Sequence, residues 1–169
     1  LFYYFFHLWI NIWKDKSQIW FITTNYYVTA SWWIKLRNDF KNRCVIKKLI
    51  NLNELKIFES ALWQHNMITL LEKWNNDNYK SSNLITNRTW YYLNLNWWAV
   101  LSDILELKDV KTNYYNVLQK DMYDWNELYL RLPWVWWNSI SNKLLKKIID
   151  KSNFLLSDLC YIHQWLKSN

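Results

Sequence analysis

The chain contains no glycine and a single proline, Pro133, in 169 residues. Ordinary usage would supply roughly 7% Gly, or about 12 residues here. No Pro/Ser-rich linker, coiled coil or internal repeat divides the sequence. The two cysteines, Cys44 and Cys160, are far apart and carry no metal-ligand pattern around them. They read as reduced, buried thiols of a cytoplasmic protein. Long apolar runs are also missing. The longest, Leu1 to Trp13, is broken by His7 and Asn11, and falls short of the roughly 18–20 residues that span a bilayer. No signal-peptide pattern, a basic leader with a small-residue cleavage site, appears in it, so neither membrane insertion nor secretion is expected. With Leu1 rather than Met at its start and a polar stretch at its end, the chain is expected to be a fragment.

What is present in excess is tryptophan, 15 residues of it. Many sit where turns are expected. Trp74 precedes Asn75, Asn76 and Asp77, Trp125 lies between Asp124 and Asn126, and Trp134, Trp136 and Trp137 follow Pro133. Asn, Asp, Pro and Ser mark turns, where positive φ is often required and an indole would be strained. This placement predicts that most of these tryptophans stand where the native protein has glycine, as when a UGA codon read as Gly is rendered as Trp. Restoring Gly at Trp20, Trp63 and Trp125 is then expected to raise the melting temperature. The competing reading is a Trp-rich sugar-binding or structural domain, which requires exposed, coplanar indoles at period 2.

Apolar residues make up 51% of the chain, enough for a packed core rather than disorder. The net charge of +7 and pI near 9.3 suit either a polyanionic partner such as nucleic acid or a lysine-rich solvated surface. Leu1 to Lys14 reads as a buried aromatic helix. Gln18 to Thr24 reads as an interior strand, Ala30 to Asn42 as a helix, Cys44 to Asn51 as a second strand and Asn66 to Glu72 as a third. Strand, helix and strand at this spacing predict a right-handed crossover in a largely parallel α/β sheet, with the last strand entering antiparallel at the edge. Beyond Trp74 the pattern loosens. A strand is expected in "YKSSNLITNRTWYY", helical turns in "VLSDILEL", a strand in "NELYLRL" and an amphipathic helix over Ile140 to Lys151. On the second helix Lys35, Arg37, Lys41 and Arg43 are placed on the wet side. With Lys47 and Lys48 they could follow a DNA backbone, but a solvated outer face is preferred because ligands collect at strand ends.

With Gly read for Trp, "IWFITTNYYVTASWW" (Ile19 to Trp33) becomes "IGFITTNYYVTASGG", followed by "KLRNDF". With "NLNELKIFESALWQHNMI" (Asn51 to Ile68), it closely resembles the γ-type adenine-N6 DNA methyltransferases of TaqI-like and Eco57I-like type II (IIG) restriction-modification enzymes. The likeness is strong over residues 17–72 and 157–166 and loose between them. "LCYIHQWLKSN" resembles the element, here Gln164 and Trp165, at which the family's target-recognition domain begins. The resemblance implies the C-terminal half of a Rossmann-like S-adenosylmethionine-dependent methyltransferase sheet over residues 1–75. A mixed α+β connector would follow over 76–154, and the start of a target-recognition domain over 155–169.

Such enzymes act on adenine N6, which lies inside the duplex, so the base must be flipped into a pocket. The resemblance assigns stacking on that base to Phe58, which from the residues alone reads as a core aromatic at a strand end. Thr23, Thr24, Asn25 and Tyr26 fall at the carboxyl end of a strand, where open α/β sheets bind ligands. The same residues also suit a plain turn, with Thr29 or Ser31 capping the next helix. Gln64, His65 and Asn66 form a second polar cluster for the pocket, though a lone His is more often structural. No partner at metal spacing accompanies His65, so no metal is expected. The family's "NPPY" tetrapeptide and glycine-rich S-adenosylmethionine loop are absent. The resemblance therefore implies that the parent transfers methyl groups to double-stranded DNA, with a nuclease fused or not, while this chain alone is inactive. A specificity fragment without catalysis remains a variant within the same family.

Overall fold

A computed structural model describes residues 2–55, 65–89, 97–123, 128–130, 132, 147 and 151. Two compact units divide the chain, Leu1–Leu132 and Pro133–Asn169. In the second, the described Lys147 and Lys151 are helical and exposed. The first unit carries everything that follows.

The aromatic opening segment forms helix α1, Phe2–Ile12, and the β-branched run Gln18–Thr24 forms strand β1. Two short 3-10 turns, Asn25–Val28 and Ser31–Trp33, lead into helix α2, Ile34–Arg43. Strands β2 (Val45–Asn53), β3 (Asn66–Glu72) and β4 (Lys80–Thr86) come next. Helix α3 (Trp97–Leu105) and strand β5 (Thr112–Leu118) follow.

The five strands form one mixed sheet in the order β1-β3-β2-β4-β5. β3 runs antiparallel to both β1 and β2, which makes those two parallel to each other. β4 is parallel to β2, and β5 is antiparallel to β4. The expectation of a largely parallel sheet with an antiparallel strand at its edge is therefore corrected. The antiparallel strand β3 is interior, and β1 is the edge. The physical reason lies in β3 itself, where Asn66 through Leu71 are all buried. A strand buried on both faces and flanked on both sides satisfies every backbone group.

The sheet separates two apolar layers. On one face Phe6 and Ile10 of α1 and Leu36 and Phe40 of α2 pack over Ile19, Met67 and Leu71. Phe6 anchors this layer, with ring centroids 4.4 Å from Phe21 and 5.1 Å from Phe40. On the other face Val100 and Ile104 of α3 cover Ile50, Leu52, Ile68 and Leu84. A bulge in β2 between Ile46 and Lys48 turns both Ile46 and Leu49 toward the first layer. Their backbone groups are met by side chains. Gln119 accepts from Ile46 N at 3.1 Å and donates to Ile46 O at 2.7 Å, and Asn83 Oδ1 accepts from Leu49 N at 2.9 Å. Cys44 is buried at the start of β2, and burial pushes its thiol up to about 12, so it is inert. Cys160 lies outside the described residues.

Among the described residues, positive φ occurs at Lys16, Asn53, Leu107 and Leu128 and at no tryptophan. The strain argument therefore does not apply at Trp20, which lies in mid-strand, whereas Trp63 and Trp125 lie outside the described residues. The missing glycine is felt at Leu107 instead. Leu107 N donates to Ile104 O and Lys108 N to Asp103 O, the pairing that closes a helix on a left-handed residue, usually Gly.

Candidate functional site

Because β1 and β2 run parallel, their carboxyl ends lie together, with the start of β3 between them. Thr24 and Asn53 are both paired with Asn66, and Thr23 and Asn51 with Met67. One step further, Asn25 N donates to His65 O at 2.9 Å. Six of the predicted pocket residues, Thr23, Thr24, Asn25, Tyr26, His65 and Asn66, thus meet at one end of the sheet. Phe58 and Gln64 lie outside the described residues.

The backbone of this end is held by its own polar groups. Asn53 adopts φ 47°, a left-handed conformation that Asn tolerates, and its N–H is accepted by Asn51 Oδ1 at 3.1 Å. His65 Nδ1 is 3.1 Å from Asn53 O. A carbonyl only accepts, so Nδ1 is the donor of this bond. The Glu54 carboxylate stands 3.7 Å from the same Nδ1. The sequence reading missed Asn51, Asn53 and Glu54. Alternating asparagines closing an apolar strand in "INLNEL" were the available signal.

The adjacent tyrosines divide their roles. Tyr26 is 50% exposed, whereas Tyr27 is fully buried. The Tyr27 hydroxyl lies 2.6 Å from Thr69 Oγ1 and donates to Met67 Sδ at 3.2 Å. Burial raises its pKa far above that of an ordinary tyrosine and keeps it neutral. Tyr27 is a core residue, whereas the Tyr26 side chain stays half exposed.

No side chain caps the turns or α2, so Thr29 and Ser31 do not take the capping role open to them. Arg37, expected on the wet side of α2, is instead fully buried. Its Nη1 donates to Tyr27 O at 2.9 Å and to Ala30 O at 2.7 Å. Helical spacing put it with Lys41. The turn folds back over the helix start, however, and a long side chain can reach carbonyls that spacing alone does not reveal.

Two other cations of the basic row are engaged within the fold. Arg43 donates to Asn11 Oδ1 at 2.5 Å and pairs with Asp39 at 3.8 Å. Lys47 pairs with Glu72 at 2.6 Å, and that hydrogen bond raises its pKa. Val45 and Gln18 both lie opposite Glu72, so this pair sits at the far end of the sheet from Asn53 and Asn66. Lys35 and Lys41 are exposed. Among the described residues no group of three or more His, Cys, Asp or Glu could hold a metal ion, and no helix is long and apolar enough to cross a membrane.

No protein-family profile and no curated protein matches the chain. Solved structures do. The type IIG restriction endonuclease BpuSI is similar with a TM-score of 0.51 at 11% identity, over 70% of this chain and 14% of its own. A protein described as a type I restriction-enzyme modification subunit from Vibrio vulnificus YJ016 gives a TM-score of 0.51 at 12% identity, over 85% of this chain and 33% of its own. The chain thus spans a minor part of either protein. At these identities the likeness is one of fold: a mixed α/β unit of the kind found within restriction-modification enzymes.

Proposed function

We propose that the chain is the C-terminal part of the methyltransferase domain of a type IIG-like restriction-modification enzyme, which methylates adenine N6 in double-stranded DNA. One observation carries the reading. Thr24, Asn25, Tyr26, His65 and Asn66 converge at the carboxyl ends of two parallel strands, where such sheets bind ligands. Amide side chains suit an adenine edge, which presents a donor and an acceptor side by side. An exposed tyrosine ring supplies a face for a base taken out of its stack.

The edge strand supports an origin in a larger sheet. Among the described residues β1 pairs with β3 alone, contains no Lys or Pro, and exposes Trp20 and Ile22. Isolated edges normally carry charge or proline to prevent further pairing. An upstream half of the same sheet would cover it. By the resemblance, the glycine-rich loop for S-adenosylmethionine and the "NPPY" tetrapeptide belong to that half; Pro133 of this chain stands in "RLPWVW". No chemical step is assigned to the residues present. Their part is to receive and orient the base, with Phe58 as its stacking partner.

The sugar-binding alternative has less support. Trp20, Trp32 and Trp98 are exposed, but they do not alternate on one strand. Trp9 and Trp13 meet edge to face at 77°, which is no flat platform. The test is to express the complete gene, with UGA read as Gly, in a host lacking DNA methylation. N6-methyladenine in one sequence context is expected by mass spectrometry of the host DNA. Methylcytosine alone, or unmodified DNA from well-folded protein, would overturn the reading.

A further inference from the structure

We infer that Arg37 is a positioning residue, which fixes the strand-end turn in the shape that receives the base. This rests on the pocket reading above.

Residues 25–30 carry Asn25 and Tyr26 into the site, yet they have few restraints of their own. Asn25 N is tied to His65 O, and Ala30 N closes on Tyr26 O at 3.0 Å. Arg37 takes two carbonyls of the turn with one nitrogen, Tyr27 O and Ala30 O. Its guanidinium also lies over the Tyr129 ring, 5.1 Å from the centroid. The segment bearing that ring joins the same turn directly, since Leu130 N donates to Val28 O at 3.0 Å. The turn is thus gripped from below by α2 and from the side by residues 128–130, with Arg37 common to both.

A guanidinium suits this work where an ammonium does not. Its donors are planar and fixed in direction, it stacks flat on an aromatic ring, and it loses less hydration on burial. A lysine would keep the charge but not reach two divergent carbonyls while stacking on Tyr129. The inference is therefore about shape, not charge, and the conservative substitution is the informative one.

Backbone amide exchange and an adenosine titration, both followed by NMR on the full chain, test it. In Arg37→Lys the amides of Asn25, Ala30 and Leu130 should exchange at least tenfold faster than in the wild type. Those of β2 and β3 should change much less. The adenosine-induced shifts at Thr24, Asn25 and His65 should weaken at least threefold in apparent affinity. Tyr129→Leu leaves Arg37 in place and removes the ring, so it should loosen the same amides to a smaller degree. If Arg37→Lys leaves exchange at Asn25 and Ala30 unchanged, the inference fails. If both variants speed exchange uniformly through β2 and β3, Arg37 is a general core residue and the inference also fails. A wild type that shows no adenosine shifts, but in which the turn still loosens locally in Arg37→Lys, refutes the pocket reading while the positioning of the turn stands.

Discussion

Tyr26 and Tyr27 are neighbours in sequence with opposite environments, and substituting each should separate folding from binding. Tyr27→Phe removes one hydroxyl from a fully buried ring. That hydroxyl is 2.6 Å from Thr69 Oγ1, itself fully buried, and 3.2 Å from Met67 Sδ. The ring and its packing against Phe40 remain, so no cavity larger than an oxygen is made. The loss is one buried hydrogen bond and a Thr69 hydroxyl left short of a partner, about 1–2 kcal/mol. For a chain of this size that lowers the melting temperature by about 2–8 °C. Urea denaturation should show a lower midpoint with an unchanged slope, since the surface exposed on unfolding is the same. Tyr26→Ala, at a residue 50% exposed, should cost no more than about 0.5 kcal/mol. It should nevertheless reduce adenosine-induced shifts at Asn25 and His65, which Tyr27→Phe leaves intact. A Tyr27→Phe protein as stable as the wild type, or a Tyr26→Ala protein destabilised as much as Tyr27→Phe, would refute this division of roles.

Other outcomes follow from the same geometry. Gln119→Leu leaves Ile46 N and O unpaired where Gln119 meets both; urea denaturation should show a loss of about 2–4 kcal/mol. Leu107→Gly should stabilise by about 0.5–1 kcal/mol in the same assay, because Leu107 is 55% exposed and held at φ 63°, and relief of left-handed strain exceeds the added chain entropy. Burial alone would raise the Asp109 carboxyl, but the Arg88 fork and the Thr112 hydroxyl outweigh it and hold it below the usual range. Its folded pKa being depressed, the stability it gives is present above about pH 4 and is lost as pH falls through the folded value. Asp109→Asn should therefore be less stable than the wild type by about 3 kcal/mol at neutral pH, with a shallower decline in acid when stability is followed against pH.

Local elements were legible where side chains alone decide them. Gln18–Thr24 and Asn66–Glu72 were read to the residue, because β-branched and apolar runs of that length have few alternatives. Neighbour order was not legible, since a strand's sequence does not say which strands flank it. The continuous apolar run of β3 was the available signal of an interior place, yet the expectation put that strand at the edge and Gln18–Thr24 inside. β5 escaped notice because "TNYYNVL" mixes asparagines with aromatics and lacks a clean alternation. Thr23 to Tyr26, His65 and Asn66 were expected at strand ends, and the structure brings them to one end of the sheet. Asn51, Asn53 and Arg37 were not foreseen there, because their work is to hold backbone that only folding brings near. Glycine scarcity was visible at once, but its conformational effect emerged at Leu107 rather than at any described tryptophan.

The central claim is that the end of the sheet formed by Thr24, Asn25, Tyr26, His65 and Asn66 receives an adenine base. Titration of the isotope-labelled chain with adenosine, and separately with cytidine, tests it most directly. The account predicts saturable amide shifts confined to these residues with adenosine, and at least threefold weaker shifts with cytidine. Shifts absent from these residues, or equal for the two nucleosides, would contradict it.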